Sequence, residues 1–164
     1  MWNEQIIMML LEGIKDTLYM TLTSTLIGYV IGLPMGILLT VTDKDGIHPN
    51  AAVYKVLDVI ANLIRSVPFL ILLIVLIPFT RFLIGRSYGP TATIVPLVIA
   101  AAPYIARMVE SSLKEVDAGV IEAARSMGAS NFTIVTKVML VEARTSLIVG
   151  ATISLGTILC HRSE

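Results

Sequence analysis

The residues that could carry chemistry are few and scattered. His48 and His161 stand far apart, and no HExxH pairing occurs. Cys160 is the only cysteine, so neither a disulfide framework nor a multi-cysteine metal site can be assembled. No glycine-rich phosphate loop is present, so the chain carries no ATP-hydrolysing machinery of its own and calls for no cofactor. A membrane enzyme would need clustered nucleophiles or ligands, and none appears. A net charge of +0 leaves no basic field for nucleic acid. What remains is a segment built for recognition. Asp117 can cap a helix over 118–127, and Gly128 can end it. Val120, Ile121, Ala124 and Met127 fall at i, i+1, i+4 and i+7, which makes one apolar face, with Glu122 and Arg125 on the other side. Ser130 can cap a second helix beginning at Asn131. A helix of this kind either lies on the membrane or its own bundle, or plugs into a groove on a soluble partner. Glu122 can also be an ordinary solvated residue pairing with Arg125.

The elements that position this segment follow from where charge is missing. Hydrophobic residues make up 55% of the 164, charged residues only 15%, and mean hydropathy is +0.84. A soluble domain carries about 25% charge, so the composition argues against that class. Uncharged runs cover 17–42, 66–80, 87–106 and 145–160, of 26, 15, 20 and 16 residues. A bilayer core takes about 20 apolar residues in a helix. The first and third runs meet this alone. The second does so if its helix starts near Val59 and includes Arg65, giving a span over 59–80. The fourth is marginal. None holds an acidic residue in mid-span, which argues against an ion-coupled secondary transporter. The expected fold is all-α: a polytopic transmembrane bundle, read as one domain over 1–164, with a structured loop over 107–144. Lys44, Lys55, Arg107, Lys114, Arg125, Lys137 and Arg144 fall on one side, and only Lys15, Arg81 and Arg86 on the other. The basic side is expected in the cytoplasm, which puts the N-terminus outside. Residues 1–16 hold Glu4, Glu12 and Asp16 with no basic start, unlike a cleavable signal peptide.

Details along the chain refine the picture. Residues 6–16 form an amphipathic lead, either an interfacial helix or an extension of the first span. Ser24, Gly28, Gly32 and Gly36 recur every four residues and predict a close helix–helix contact rather than a ligand role. Pro34 predicts a bend, and Pro68 and Pro78 predict kinks or a helix end. Arg65 precedes Pro68 and is expected to snorkel to the headgroups. Pro90, Pro96 and Pro103 flank a small-residue helix suited to a bundle interior.

Glu122-Ala123-Ala124, three residues, Gly128, nine residues, then Val138-Met139-Leu140 resembles the EAA loop of binding-protein-dependent ABC importer permeases, whose pattern ends in I-x-L-P. Arg65-Ser66-Val67-Pro68-Phe69, Ile77-Pro78-Phe79-Thr80-Arg81, Ile94-Val95-Pro96-Leu97 and the stretch 101–110 resemble the methionine-import subfamily, over about residues 2–158. The resemblance implies a permease subunit in the inner membrane that imports amino acids, methionine first, another small polar solute as the alternative. It implies two copies forming the pore and a separate ABC ATPase subunit docked on the loop at Val120, Ile121, Glu122, Ala123, Ala124, Met127 and Gly128. A substrate-binding lipoprotein or periplasmic binding protein would deliver the solute. Two departures stand out. The family's Leu-Pro is Leu140-Val141 here, so the loop helix is expected to run straight into the fourth span. The family has five spans, and this chain shows four. The expectation is a truncated or frame-shifted product or a fragment, non-transporting as it stands, with a deliberately short paralogue as the less favoured reading.

Overall fold

The computed structural model describes residues 4–86 and 89–162. The first two residues of the expected 87–106 span, and residues 163–164 of the tail, lie outside them. Among the described residues seven helices follow in chain order: α1 (Glu4–Thr42), α2 (Ala51–Ser66), α3 (Phe69–Ile84), α4 (Pro90–Lys114), α5 (Ala118–Ser126), α6 (Asn131–Glu142) and α7 (Arg144–Arg162). No strand occurs among the described residues. The chain is an all-α bundle of the polytopic membrane class. By length and composition α1 and α4 can each cross a bilayer alone. The pairs α2–α3 and α6–α7 can each serve as one broken span.

α1 has 39 residues, about 58 Å at ~1.5 Å each, so it outreaches an apolar core of about 30 Å. The lead over 6–16 is therefore the N-terminal end of α1 and no separate element. Pro34 sits inside an unbroken helix. Thr25, Thr40 and Thr42 return their hydroxyls to the carbonyls of Thr21, Gly36 and Leu38 at 2.6–2.9 Å, which hides polar groups where water is scarce. After Thr42 the chain turns back over the helix end. Gly46 N–H donates to Asp43, His48 N–H to Val41 and Asn50 N–H to Thr42, and these bonds satisfy carbonyls that the helix leaves open. Asn50 then caps α2 by accepting from Val53 N–H at 3.3 Å.

The second expected span is broken rather than continuous. α2 stops at Ser66, Val67 is extended, and α3 restarts after Pro68 at 109° to α2. Proline forces the residue before it out of the helical region, which explains the site of the break. α4 starts with Pro90 in its first turn, where a missing N–H costs nothing. It continues to Lys114, so the loop is shorter than the expected 107–144. Pro96, Ala101, Ala102, Pro103, Ile105 and Ala106 are all buried, and α4 packs on α1, α2, α3 and α7.

The small-residue stripe of α1 lies against α4. A Cβ on Gly28 would come 3.0 Å from Ile105. On Gly32 it would come 2.8 Å from the Ala102 carbonyl oxygen, and on Gly36 2.6 Å from that of Ala106. Glycine is what lets the two backbones meet. The largest fully enclosed side chains include Leu39, Ile105, Val109, Leu113 and Ile134, so the tightest packing sits at the end of the bundle that carries α5 and α6.

Candidate functional site

α5 is built by its two ends. Asp117 accepts from Gly119 N–H at 2.6 Å and so caps the first turn. At the other end Gly128 adopts φ +78°, with its N–H on the Arg125 carbonyl and the next N–H, Ala129, on Ala124. This is a Schellman closure, which a left-handed glycine permits. Ser130 then accepts from Thr133 N–H at 3.3 Å and starts α6.

The expected apolar face of α5 is divided between two surroundings. Ala124 is only 4% exposed and joins the main core, and Ile121 packs partly against it. Val120 and Met127 point away and are exposed, at 41% and 82%. The reason is angular. At about 100° per residue, the middle of the Ile121–Ala124 pair lies roughly 70–90° around the helix from Val120 and Met127. Ile121 and Ala124 seat the helix on its own bundle. Its outward surface is Gly119, Val120, Glu122, Ala123, Ser126, Met127 and Gly128, all exposed. Phe132 at the start of α6 adds a 78% exposed ring. Apart from Glu122 the side chains of this surface are small or apolar, and exposed Arg125 borders it.

Glu122 does not pair with Arg125. Arg125 instead donates from Nη2 to the Ile47 carbonyl at 3.3 Å, which ties α5 to the α1–α2 turn. A second tie comes from Lys114 at the end of α4, whose ammonium lies 2.7 Å from Asp43 and 2.8 Å from Glu110. The Lys114 ammonium holds the Asp43 carboxyl below the usual carboxylate range. Glu110, 4% exposed, also receives Arg107 at 2.7 Å and the Tyr54 hydroxyl at 3.3 Å. Arg107 bonds Asp58 and Asn62 of α2 as well. One network of Asp43, Tyr54, Asp58, Arg107, Glu110 and Lys114 thus fastens α1, α2 and α4 beside the α5 platform. The sequence alone does not reveal it, because Arg107 and Lys114 read there as loop charges. The signal that could have found it is the 3.6-period spacing of Arg107, Glu110 and Lys114 on one helix face.

α6 also departs from expectation. It does not run straight on at Val141. Its middle widens into a π-helical stretch at Ile134–Met139, and α7 leaves at 69° after Ala143. Ile134, Met139 and Ala143 are buried, so packing, with no proline, turns the chain.

The sequence profile described as binding-protein-dependent transport system inner membrane component matches residues 7–161. The chain belongs to this family. Among relatives in it, the D-methionine transport system permease protein MetI of Salmonella typhimurium is 49% identical over 156 residues, 95% of this chain and 72% of that protein. The Escherichia coli protein of the same name matches to the same extent. A solved structure of the MetNI methionine ABC transporter in inward-facing conformations superposes with a TM-score of 0.95 at 48% identity, covering 98% of this chain and 74% of that one. An amino acid ABC transporter crystallised with histidines shares the fold, with a TM-score of 0.70 at 24% identity. As a family member the chain is an inner-membrane transport component, and its EAA-like segment is the α5–α6 loop described above.

Proposed function

We propose that this permease is the membrane subunit of an ATP-driven importer of methionine, with ATP hydrolysis in a separate subunit docked on α5. The observation that carries the reading is the outward face of α5. It is a capped helix whose inner residues are anchored to the bundle and whose outer residues, apart from Glu122, are small or apolar. A helix held this way can be pushed as a lever without melting. The close likeness to methionine permeases supports the substrate. The contact is best assigned to Val120, Glu122, Ala123, Met127 and Gly128, joined by Phe132, with Ile121 and Ala124 supporting the helix from beneath. Two copies would form the pore, and a substrate-binding lipoprotein or periplasmic protein would deliver the amino acid. Alternating access would follow as ATPase closure moves α5 and the helices fastened to it rock together. The membrane orientation is read from the charge asymmetry, with α5 in the cytoplasm and the N-terminus outside.

Uptake of labelled methionine in a host lacking its own importer, with the chain co-expressed with its ATPase and binding protein, tests the function. ATP-dependent accumulation is expected when the chain carries a fifth span, the comparison being the 164 residues alone. Ala123→Asp should abolish it and release the ATPase on purification, because an unpaired charge would enter the contact centre, where losses of about 2 kcal/mol or more are typical of hot spots. Retained uptake and co-purification by that variant would count against α5 as the docking helix.

A further inference from the structure

Two cavities open along α4, and they share residues. The first, about 210 Å³, lies at the α2–α3 break between Phe69, Leu72, Leu97, Ala101 and Ile158. The second, about 300 Å³, runs past Arg107, Ser111 and Ser146 to Glu115 at the end of α4. Arg65 and Tyr104 line both, so they stand where one passes into the other. The first cavity is smaller than the ~300–1,000 Å³ typical of drug-sized ligands, and suits a molecule the size of an amino acid.

The chemistry of its wall is selective. Hydrocarbon dominates, interrupted by the Arg65 guanidinium, the Tyr104 hydroxyl and Thr157 Oγ1, the last two 3.5 Å apart. No carboxylate lines it among the described residues. Arg107 is held by Asp58 and Glu110, whereas Arg65 has no carboxylate partner among the described residues. A guanidinium left open beside an apolar cavity offers its planar fork to an incoming carboxylate. An ionisable side chain within a spanning pair, facing a cavity, is expensive to keep unless it serves such a role. Arg65 sits in the last turn of α2, one residue before the helix ends at Ser66 and the chain breaks at Val67 and Pro68.

We propose that the first cavity is a substrate subsite for an apolar amino acid. Arg65 takes the carboxylate, the side chain lies against Phe69, Leu72 and Leu97, and the Tyr104–Thr157 oxygens accept from the ammonium. Tyr104 then marks the exit into the polar second cavity. This rests on the importer reading above and adds the residues that hold the solute.

The test uses the whole chain in lipid nanodiscs and calorimetric binding of L-methionine, L-leucine, L-methioninamide and hexanoate. Methioninamide keeps the side chain and amine but lacks the carboxylate, and hexanoate stands for a lipid-derived acid without the amine. Methionine is expected to bind at least tenfold tighter than either. Arg65→Gln, with an unchanged melting temperature because Arg65 is exposed, should remove that preference, and Arg65→Lys should restore part of it. Ala100→Phe fills the cavity with Arg65 in place and should remove binding. Leucine bound with the same Arg65 dependence, without methionine, would uphold the subsite and overturn methionine as the substrate. Equal binding of methionine and its amide, binding unaffected by Arg65→Gln, hexanoate equal to methionine, or no amino acid bound at all would overturn the subsite.

Discussion

Gly36 has the least room of the α1 stripe, and the stripe sets a graded expectation. A methyl group on Gly36 meets the Ala106 carbonyl oxygen at 2.6 Å, on Gly32 that of Ala102 at 2.8 Å, and on Gly28 only the end of the Ile105 side chain at 3.0 Å. Backbone cannot yield as a side chain can. Gly36→Ala and Gly32→Ala should lower stability by about 1–3 kcal/mol and Gly28→Ala by less, while Gly13→Ala, which meets nothing within 4 Å, should be neutral or slightly stabilising. Thermal unfolding of the purified variants reads the order directly. Glu110 carries the other residue-scale prediction. It is the acceptor shared by Arg107, Lys114 and Tyr54, and Glu110→Gln leaves two cations facing a neutral amide. Breaking a buried pair costs about 3–5 kcal/mol, and the half-open Lys114 reduces this to about 2. A double-mutant cycle with Lys114→Met should return a coupling above ~0.5 kcal/mol; a coupling near zero would reduce the network to a solvated surface. The stripe is legible in the sequence as a period of four. The network is not, because Arg107 meets Asp58 across 49 residues of chain, and no local rule pairs them.

Among the elements, α5 is the one most completely written in local signals. Asp117, Gly128 and Ser130 sit where caps and stops must sit, and each makes the bond its type predicts. Asp117→Ala should cost about 1 kcal/mol, and Gly128→Ala about 1–2 for placing a Cβ in the left-handed region. Hydrogen exchange of the α5 amides should quicken in both variants while α4 amides stay protected. Uniform quickening across the bundle would mean that the loop and core open together. Which side of α5 faces inward was less legible. Val120, Ile121, Ala124 and Met127 form one stripe on a helical wheel, but the small Ala124 fits against the core where the long Met127 does not. The two breaks differ in the same way. That after α2 is announced by Pro68, whereas that before α7 has no proline and arises from a π-helical widening over buried residues.

At the scale of the molecule the bilayer decides which faces can stay uncovered. Exposed Leu26, Val30, Ile74, Val75 and Phe82 would be a liability in water and are the expected covering of a bundle in lipid or against a second copy. The charged network and the loop then lie together at one end, the end that the proposed orientation puts in the cytoplasm. Ser130→Cys, in a Cys160→Ser background, should resist a membrane-impermeant thiol reagent on whole cells and react after permeabilisation. Reaction on intact cells would invert the orientation. The ionic network also bears on how the bundle is expected to move. Because it joins α1, α2 and α4 next to α5, those helices should shift as one body, with the α2–α3 break as the compliant point.

The sequence by itself determined the solvent. Long uncharged runs admit no soluble fold, and backbone groups in lipid must close on themselves, so helices follow. It also determined the caps of α5, the break at Pro68 and the four-residue stripe, because each acts through neighbours within a turn or two. Only the tertiary structure decided that the stripe meets α4, that Ala124 turns inward while Met127 stays out, that Arg107 finds Asp58, and that Arg65 is left open beside a cavity. These are choices among faces and partners that look alike locally. They are made by close packing and charge pairing between segments far apart in the chain, and a single sequence does not display those energies.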